Sequence, residues 1–172
     1  NVVLEGDPIL YKKCRIVKNF DARLAQLIDD MIETMQLKNG VGLAASQVGI
    51  LKRVVVIQTN LEEKPLELVN PQITEVSGNQ EEVEGCLSCP GEYGITKRPM
   101  KVKVKAFDRF GAEHFYDGEA LLARAFCHEI DHLDGILFKN HVIRMLDDSA
   151  LALANKKIFF CFCFMVKFFN LP

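Results

Sequence analysis

The chain has no tryptophan and only three tyrosines. It also lacks any run of about 20 apolar residues, the length a helix needs to span a bilayer, so no transmembrane segment is expected. Its opening, Asn1-Val2-Val3-Leu4-Glu5-Gly6-Asp7-Pro8, has neither the basic stretch nor the apolar core of a secretory leader, so no signal peptide is expected. Positive charge is not in excess. Lys and Arg number 21 against 23 Asp and Glu, for a formal net charge of −2 and a pI near 6.1, which argues against nucleic acid as the main partner. The six cysteines, Cys14, Cys86, Cys89, Cys127, Cys161 and Cys163, are too sparse for the disulfide framework of a small secreted domain. They read as reduced thiols in a cytosolic compartment. With 49% hydrophobic and 26% charged residues, the 172-residue chain is long enough and apolar enough for one globular domain with an ordinary core.

The clearest period lies over residues 20–35. Phe20, Leu24, Leu27, Ile28, Met31, Ile32 and Met35 recur at steps of three and four, which predicts an amphipathic N-terminal helix. Asn19 or Asp21 can cap its start, and Gly40 lies just past its end. Residues 53–59 read as a buried strand, with shorter strands near 66–69, 72–77 and 101–107. In the last, lysines alternate with apolar residues, and the turn signal Asp108-Arg109-Phe110-Gly111 predicts a hairpin out to Phe115. A second helix is expected from about Glu119 to Leu133, ending before Gly135. Strands grouped between separated helices predict an α+β fold, with antiparallel sheets packed around a central helix that carries the HExxH motif.

Residues 1–150 are read as the catalytic domain and 151–172 as a tail of unassigned role. Six of the twelve phenylalanines stand at 159, 160, 162, 164, 168 and 169. The apolar run Ile158 to Val166 is too short to cross a bilayer. Burial is the expectation for it, with a partner or membrane-surface patch and a frame-shifted stretch as alternatives.

The chemistry centres on His128-Glu129-Ile130-Asp131-His132. Histidines four apart on a helix share one face and can reach one metal ion, and Glu129 can reach a metal-bound water without being a ligand. A third ligand is required. Asp134, His141, Asp147 and Asp148 lie downstream, as a zincin-type peptidase would need, but without a metzincin extension. Upstream, Cys86 within Glu84-Gly85-Cys86-Leu87-Ser88 would complete a Cys-His-His set with one position open, the layout of a catalytic site. Taken alone, Cys86 reads as a small buried hydrophobe, and Cys89 offers half of a structural CxxC zinc site. The stretch Gly40-Val41-Gly42-Leu43-Ala44-Ala45-Ser46-Gln47 fits no phosphate-binding pattern. It reads either as a turn followed by a strand or as a close backbone approach that lets Gln47 donate into a nearby site.

In this order the three stretches resemble the signature motifs of the peptide deformylases, over roughly residues 1 to 148. Gly6-Asp7-Pro8-Ile9-Leu10 and Tyr93-Gly94 before Arg98-Pro99 also resemble family segments. The resemblance implies a hydrolase that removes the formyl group from the N-terminal formyl-methionine of newly made polypeptides and releases formate. It implies one divalent ion per chain on Cys86, His128 and His132, iron(II) natively, with nickel, cobalt or zinc able to substitute. A metal-bound hydroxide would attack, with Glu129 as general base and then acid, while Gln47 and the backbone N–H of Leu87 face the developing oxyanion. The backbone of the Gly40–Gly42 loop would pair with the extended peptide, Gly85 is also expected to bind substrate, and Val41, Leu121, Arg124 and Ala125 would line the pocket for its methionine side chain. Leu121 and Ala125 serve equally as core residues. Glu84 and Arg98 would form an ion pair supporting Cys86.

The implied partners are formylated nascent chains, with transient ribosome contact and no direct nucleic-acid site. The implied setting is the bacterial cytoplasm, an organelle being the alternative. Two departures from the family pattern stand out. Ser46 occupies a position where proline is common. Cys127 stands where glutamine often precedes the first histidine, and adds a thiol near the site, expected to raise the site's sensitivity to oxidation.

Overall fold

In the computed structural model residues 1–147 are described, and the expectations placed on the Phe-rich tail and on a boundary at 150 lie outside them. Asp21, not Asn19, caps the first helix, its carboxylate accepting the Leu24 N–H at 3.0 Å. That helix, α1 (Ala22–Leu37), buries Leu24, Ile28, Met31 and Met35, with Leu27 and Ile32 at the edges of the stripe. Each such burial contributes about 1.5–3 kcal/mol. The chain leaves α1 through Asn39 in the left-handed conformation, and Gly40 donates its N–H back to the Met35 carbonyl at 2.9 Å.

In chain order there follow β1 (Gly42–Ala44), β2 (Val54–Ile57), β3 (Leu66–Ser77), β4 (Gln80–Cys86), β5 (Cys89–Arg98), β6 (Lys101–Phe107), β7 (Glu113–Glu119), α2 (Leu121–Leu133) and β8 (Val142–Leu146). Five of them make an antiparallel sheet in the order β1-β2-β3-β6-β7, and three make a second in the order β4-β5-β8. The architecture is the α+β arrangement expected. Residues along β2 are buried on both faces: Val54 and Val56 pack toward α1, Val55 and Ile57 toward α2. An uninterrupted apolar run is the signature of such a strand.

The two strands anticipated at 66–69 and 72–77 are one strand, β3, broken in register between Val69 and Gln72. At the break Asn70 takes a φ of 52°, and its side-chain amide bonds both backbone groups of Val17, at 2.8 and 2.9 Å. Asparagine tolerates this conformation because its short polar side chain bonds locally. The expected hairpin joins β6 to β7, with Lys105 opposite Phe115. Helix α2 begins two residues later than anticipated. Glu119 remains in β7, and Ala120, at a φ of 50°, makes the corner.

More than one antiparallel sheet is expected from the sequence, but the strands of the second sheet are not marked in it. In β4 the buried positions include Gln80 and Glu84 beside Val83, so no apolar alternation marks it. In β5 a proline and two glycines obscure the pattern. Helix α2 lies between the sheets. Ala123, Phe126, Ile130 and Leu133 face the larger one, while His128, Glu129 and His132 are buried near β4. Among the described residues no helix is long and apolar enough to cross a membrane.

Candidate metal centre

The four-residue spacing on α2 brings the His128 and His132 rings edge to face, their centroids 4.9 Å apart. The end of β4 delivers Cys86 to the same point, with its Sγ 3.2 Å from His132 Nε2. One donor atom from each of the three residues lies within 4.8 Å of the other two, and all three residues are buried. Among the described residues this is the one cluster of three or more His, Cys, Asp or Glu so arranged. A thiolate with two imidazoles, closely grouped, suits a divalent transition metal with one coordination position left open. Two downstream candidates for a third ligand are engaged elsewhere. Asp134 pairs with Arg53 at 2.9 Å and Lys13 at 3.5 Å, and His141 lies 3.1 Å from Asp131. Asp148 is outside the described residues, and Cys89 is not part of the cluster.

The two histidines are shifted in opposite directions. Burial pushes His132 well below its ordinary value, and the neighbouring His128 adds to the effect, so the ring is neutral. Burial opposes charge on His128 as well, but the hydrogen bond to Glu84 and the nearby charges of Glu129 and Glu84 together outweigh it, and the net shift is upward. That bond, Nδ1 to Oε1 at 2.7 Å, fixes the tautomer and assigns ligation to Nε2. Glu129 is buried beside the histidines. Desolvation lifts its carboxyl to about 7, and its Oε2 has no hydrogen-bond partner among the described residues.

Glu84 is fully buried and also accepts from Thr96 Oγ1 at 2.7 Å and from Arg98 Nε and Nη2 at 3.0 and 2.7 Å. Burial works against its charge, but the bonds from His128 and Arg98 hold the carboxyl far below the usual range. Arg98 is buried too, and its Nη1 donates to Asp131 at 2.6 Å. The structure thus brings Glu84 and Arg98 together. Thr96 and Asp131 complete the network, and neither was singled out from the sequence. Thr96 sits in the unanticipated β5, and Asp131 fills one of the variable positions inside HExxH.

On the other side of Cys86, Gln47 Oε1 accepts the Ala44 N–H at 2.9 Å, which orients the amide. Its Nε2 then donates to Ser88 Oγ at 3.1 Å and lies 3.5 Å from Cys86 Sγ. The Ser88 N–H also points at Cys86 Sγ, at 3.4 Å. The N-terminal segment ties both loops down, Val3 N–H to the Gln47 carbonyl and Glu5 N–H to the Ser88 carbonyl, each at 2.7 Å. Ser88 and this strap had no sequence signal beyond their place in recognised segments. Leu87 is half-buried against the α1 cluster. Gly42 packs directly on Glu129. A Cβ there would stand 2.7 Å from both Cγ and Cδ of the glutamate, so glycine is what admits that side chain.

Residues foreseen for substrate contact are scattered in character. Val41 and Leu121 are half-buried against the main core, and Ala125 is wholly inside it. Arg124 is buried and donates to Gln80 Oε1, while Gln80 Nε2 bonds the carbonyls of Pro99 and Ala120 at 2.7 and 2.9 Å, pinning the start of α2 to β4. Gly85 lies under the Tyr93 ring, 2.7 Å from where its Cβ would be. A cleft of about 580 Å³ reaches Cys86 between Val2, Leu4, Leu87, Pro90 and Tyr93, and Val41, Leu121, Arg124 and Ala125 are not in its wall. Cys127 is buried in the core, with desolvation pushing its thiol up to about 11. Ser46 donates to the His132 carbonyl at 3.2 Å, a bond that proline could not make.

A Cys-His-His cluster formed by the end of β4 and an HExxH helix, inside this α+β fold, describes a metal-dependent hydrolase. Residues 1–147 match the family model of polypeptide deformylase. A peptide deformylase of Caldicellulosiruptor bescii is 57% identical over 145 residues, covering 84% of this chain and 86% of that protein. Another, from Caldanaerobacter subterraneus, is 53% identical over 146 residues, covering 85% and 91%. The crystal structure of the Thermotoga maritima peptide deformylase superposes with a TM-score of 0.80 at 38% identity, covering 83% of this chain and 96% of that one. The chain belongs to the polypeptide deformylase family, and is an enzyme.

Proposed function

We propose that Cys86, His128 and His132 hold one divalent ion, and that Glu129 moves the proton when the formyl amide at the N-terminal methionine of a new polypeptide is hydrolysed. Removal of that formyl group is the activity of the family to which the chain belongs. The observation that carries the mechanism is the placing of three buried donors beside a buried carboxylate with an unpartnered oxygen. Such an oxygen is costly unless a bound water or substrate satisfies it. When bound, the ion lowers the pKa of water from about 15.7 to about 7 and polarises the formyl carbonyl. Glu129 takes the water proton and passes it to the leaving amine nitrogen. Gln47, oriented by the Ala44 N–H, and the backbone N–H of Leu87 donate to the carbonyl oxygen as its charge grows. Glu84 holds the His128 ring in its ligating tautomer.

The backbone of the Gly40–Gly42 loop pairs with the extended peptide, Gly85 also contacts it, and Val41, Leu121, Ala125 and the Arg124 stem line the pocket for the methionine side chain. Iron(II) is assigned as the native ion, with nickel, cobalt or zinc as substitutes, since thiolate and imidazole accept each of these. Because the substrate emerges from the ribosome, the reaction is placed in the bacterial cytoplasm, in transient contact with that particle.

The test is formate release from a formyl-Met tripeptide by protein loaded anaerobically with iron(II) or nickel, beside Glu129→Ala. Rapid release by the parent and near-silence from the variant are expected. Cleavage of internal peptide bonds without formate would favour a zincin-type peptidase instead.

A further inference from the structure

Cys89 has no place in the mechanism above, yet it is built against the metal ligand Cys86. The two are cross-strand partners at the tip of the β4–β5 hairpin, separated by the turn residues Leu87 and Ser88. Both are reduced and buried in the same small cluster with Leu10, Leu137 and Phe138. Paired residues in an antiparallel ladder have Cα atoms about 4.5–5.5 Å apart, inside the range that a disulfide spans without backbone movement. The cleft wall includes both cysteines, so a small oxidant reaches them. The Ser88 N–H and the Gln47 amide both point at the Cys86 sulfur, at 3.4 and 3.5 Å, and hold it at the cleft beside Cys89. Cys14 and Cys127, the other described cysteines, pack in the main core around α2.

We propose that Cys86 and Cys89 are a reactive thiol and its resolving partner, forming a disulfide when the protein meets a hydroperoxide. The Cys86 thiolate attacks the peroxide O–O bond to give a sulfenic acid and release hydroxide or an alcohol. The Cys89 thiol then displaces the sulfenic hydroxyl as water and closes the S–S bond. Two thiols are oxidised by two electrons and one peroxide is reduced by two, with no other reactant. The disulfide removes a ligand from the cation, which leaves, and a dithiol reductant restores both. Without Cys89, the sulfenic acid would proceed to sulfinic and sulfonic acids, from which no simple reductant recovers it. The disulfide step depends on the hairpin alone, whereas loss of the ion rests on the ligand role given to Cys86.

The experiment treats full-length, nickel-loaded protein with hydrogen peroxide. It reads the intact mass, the peptide map after alkylation, and the nickel released to a chelating dye, before and after dithiothreitol. The expected result is a loss of about 2 Da, with Cys86 and Cys89 joined in one unalkylated peptide, release of the bound nickel, and return of both thiols and of nickel binding on reduction. Cys89→Ala and Cys89→Ser should instead gain about 32–48 Da at Cys86 and not recover. The proposal is overturned if the parent gains that oxygen at Cys86, if the only new disulfide joins other cysteines such as Cys161 and Cys163, or if the variants recover as the parent does. A Cys86–Cys89 disulfide with nickel retained would support the couple and overturn the ligand role of Cys86.

Discussion

Replacing Gly42 by alanine probes the position of Glu129 with one methyl group. Gly42 has no positive φ, so alanine brings no backbone strain, and β1 keeps its pairing with Ile57. The new Cβ would stand 2.7 Å from Glu129 Cγ and Cδ, where ordinary contact begins at 3.4 Å. Glu129 Oε1 would lie closer still, so the carboxylate must give way by more than the 3.4 − 2.7 = 0.7 Å that Cγ and Cδ alone require. The β1 backbone lies in a buried sheet, so the glutamate side chain gives way rather than the strand. Misplacement of a catalytic group by about 1 Å can cost about 100-fold in rate. Gly42→Ala should therefore lower kcat for formate release by roughly 100-fold, with metal content unchanged and the melting temperature little altered. Steady-state formate assays on equally metallated proteins, with metal analysis alongside, measure this. A kcat within a factor of about three of the parent would refute the assigned position and role of Glu129.

Glu84→Gln removes the charge that Arg98 and His128 share. Metal affinity should fall about 10- to 100-fold in chelator competition, and removing one partner of a buried pair should cost about 3–5 kcal/mol in denaturant unfolding; unchanged metal retention after dialysis would count against the support role. Gln47→Leu should lower kcat by about 100- to 1,000-fold with the metal still bound, the usual effect of losing one oxyanion donor. Ser46→Ala should leave formate release intact and lower stability by about 1 kcal/mol, because it deletes one buried hydrogen bond to the end of α2.

What was readable in the sequence follows physical rules visible in the structure. Helix α1 announced itself because its buried residues are all apolar and its other face is wet. The β6–β7 hairpin did so because lysines alternate with buried valines and Ala106. The strands of the second sheet stayed hidden because their buried positions carry Gln80, Glu84, Thr96 and Arg98, polar groups satisfied only by one another or by distant chain. Pattern reading looks for apolar faces, and this face is built for holding ligands. The metal ligands were legible as motifs, and pairing Glu84 with Arg98 came from resemblance rather than spacing. Thr96, Asp131 and the N-terminal strap carry no local signal, since their partners lie 12, 33 and more than 40 residues away along the chain. Cys127 adjoins His128 in sequence, but its side chain packs in the core on the larger-sheet side of α2 and is not part of the cluster of three donors.

The donor set itself is open to direct reading with cobalt(II), whose absorption reports sulfur ligation. Protein loaded with cobalt should bind one ion per chain and show a thiolate-to-cobalt charge-transfer band, and Cys86→Ser should lose that band while His128→Ala and His132→Ala lose the ion. A charge-transfer band undiminished in Cys86→Ser, or stoichiometric cobalt retained without either histidine, would contradict the site described here.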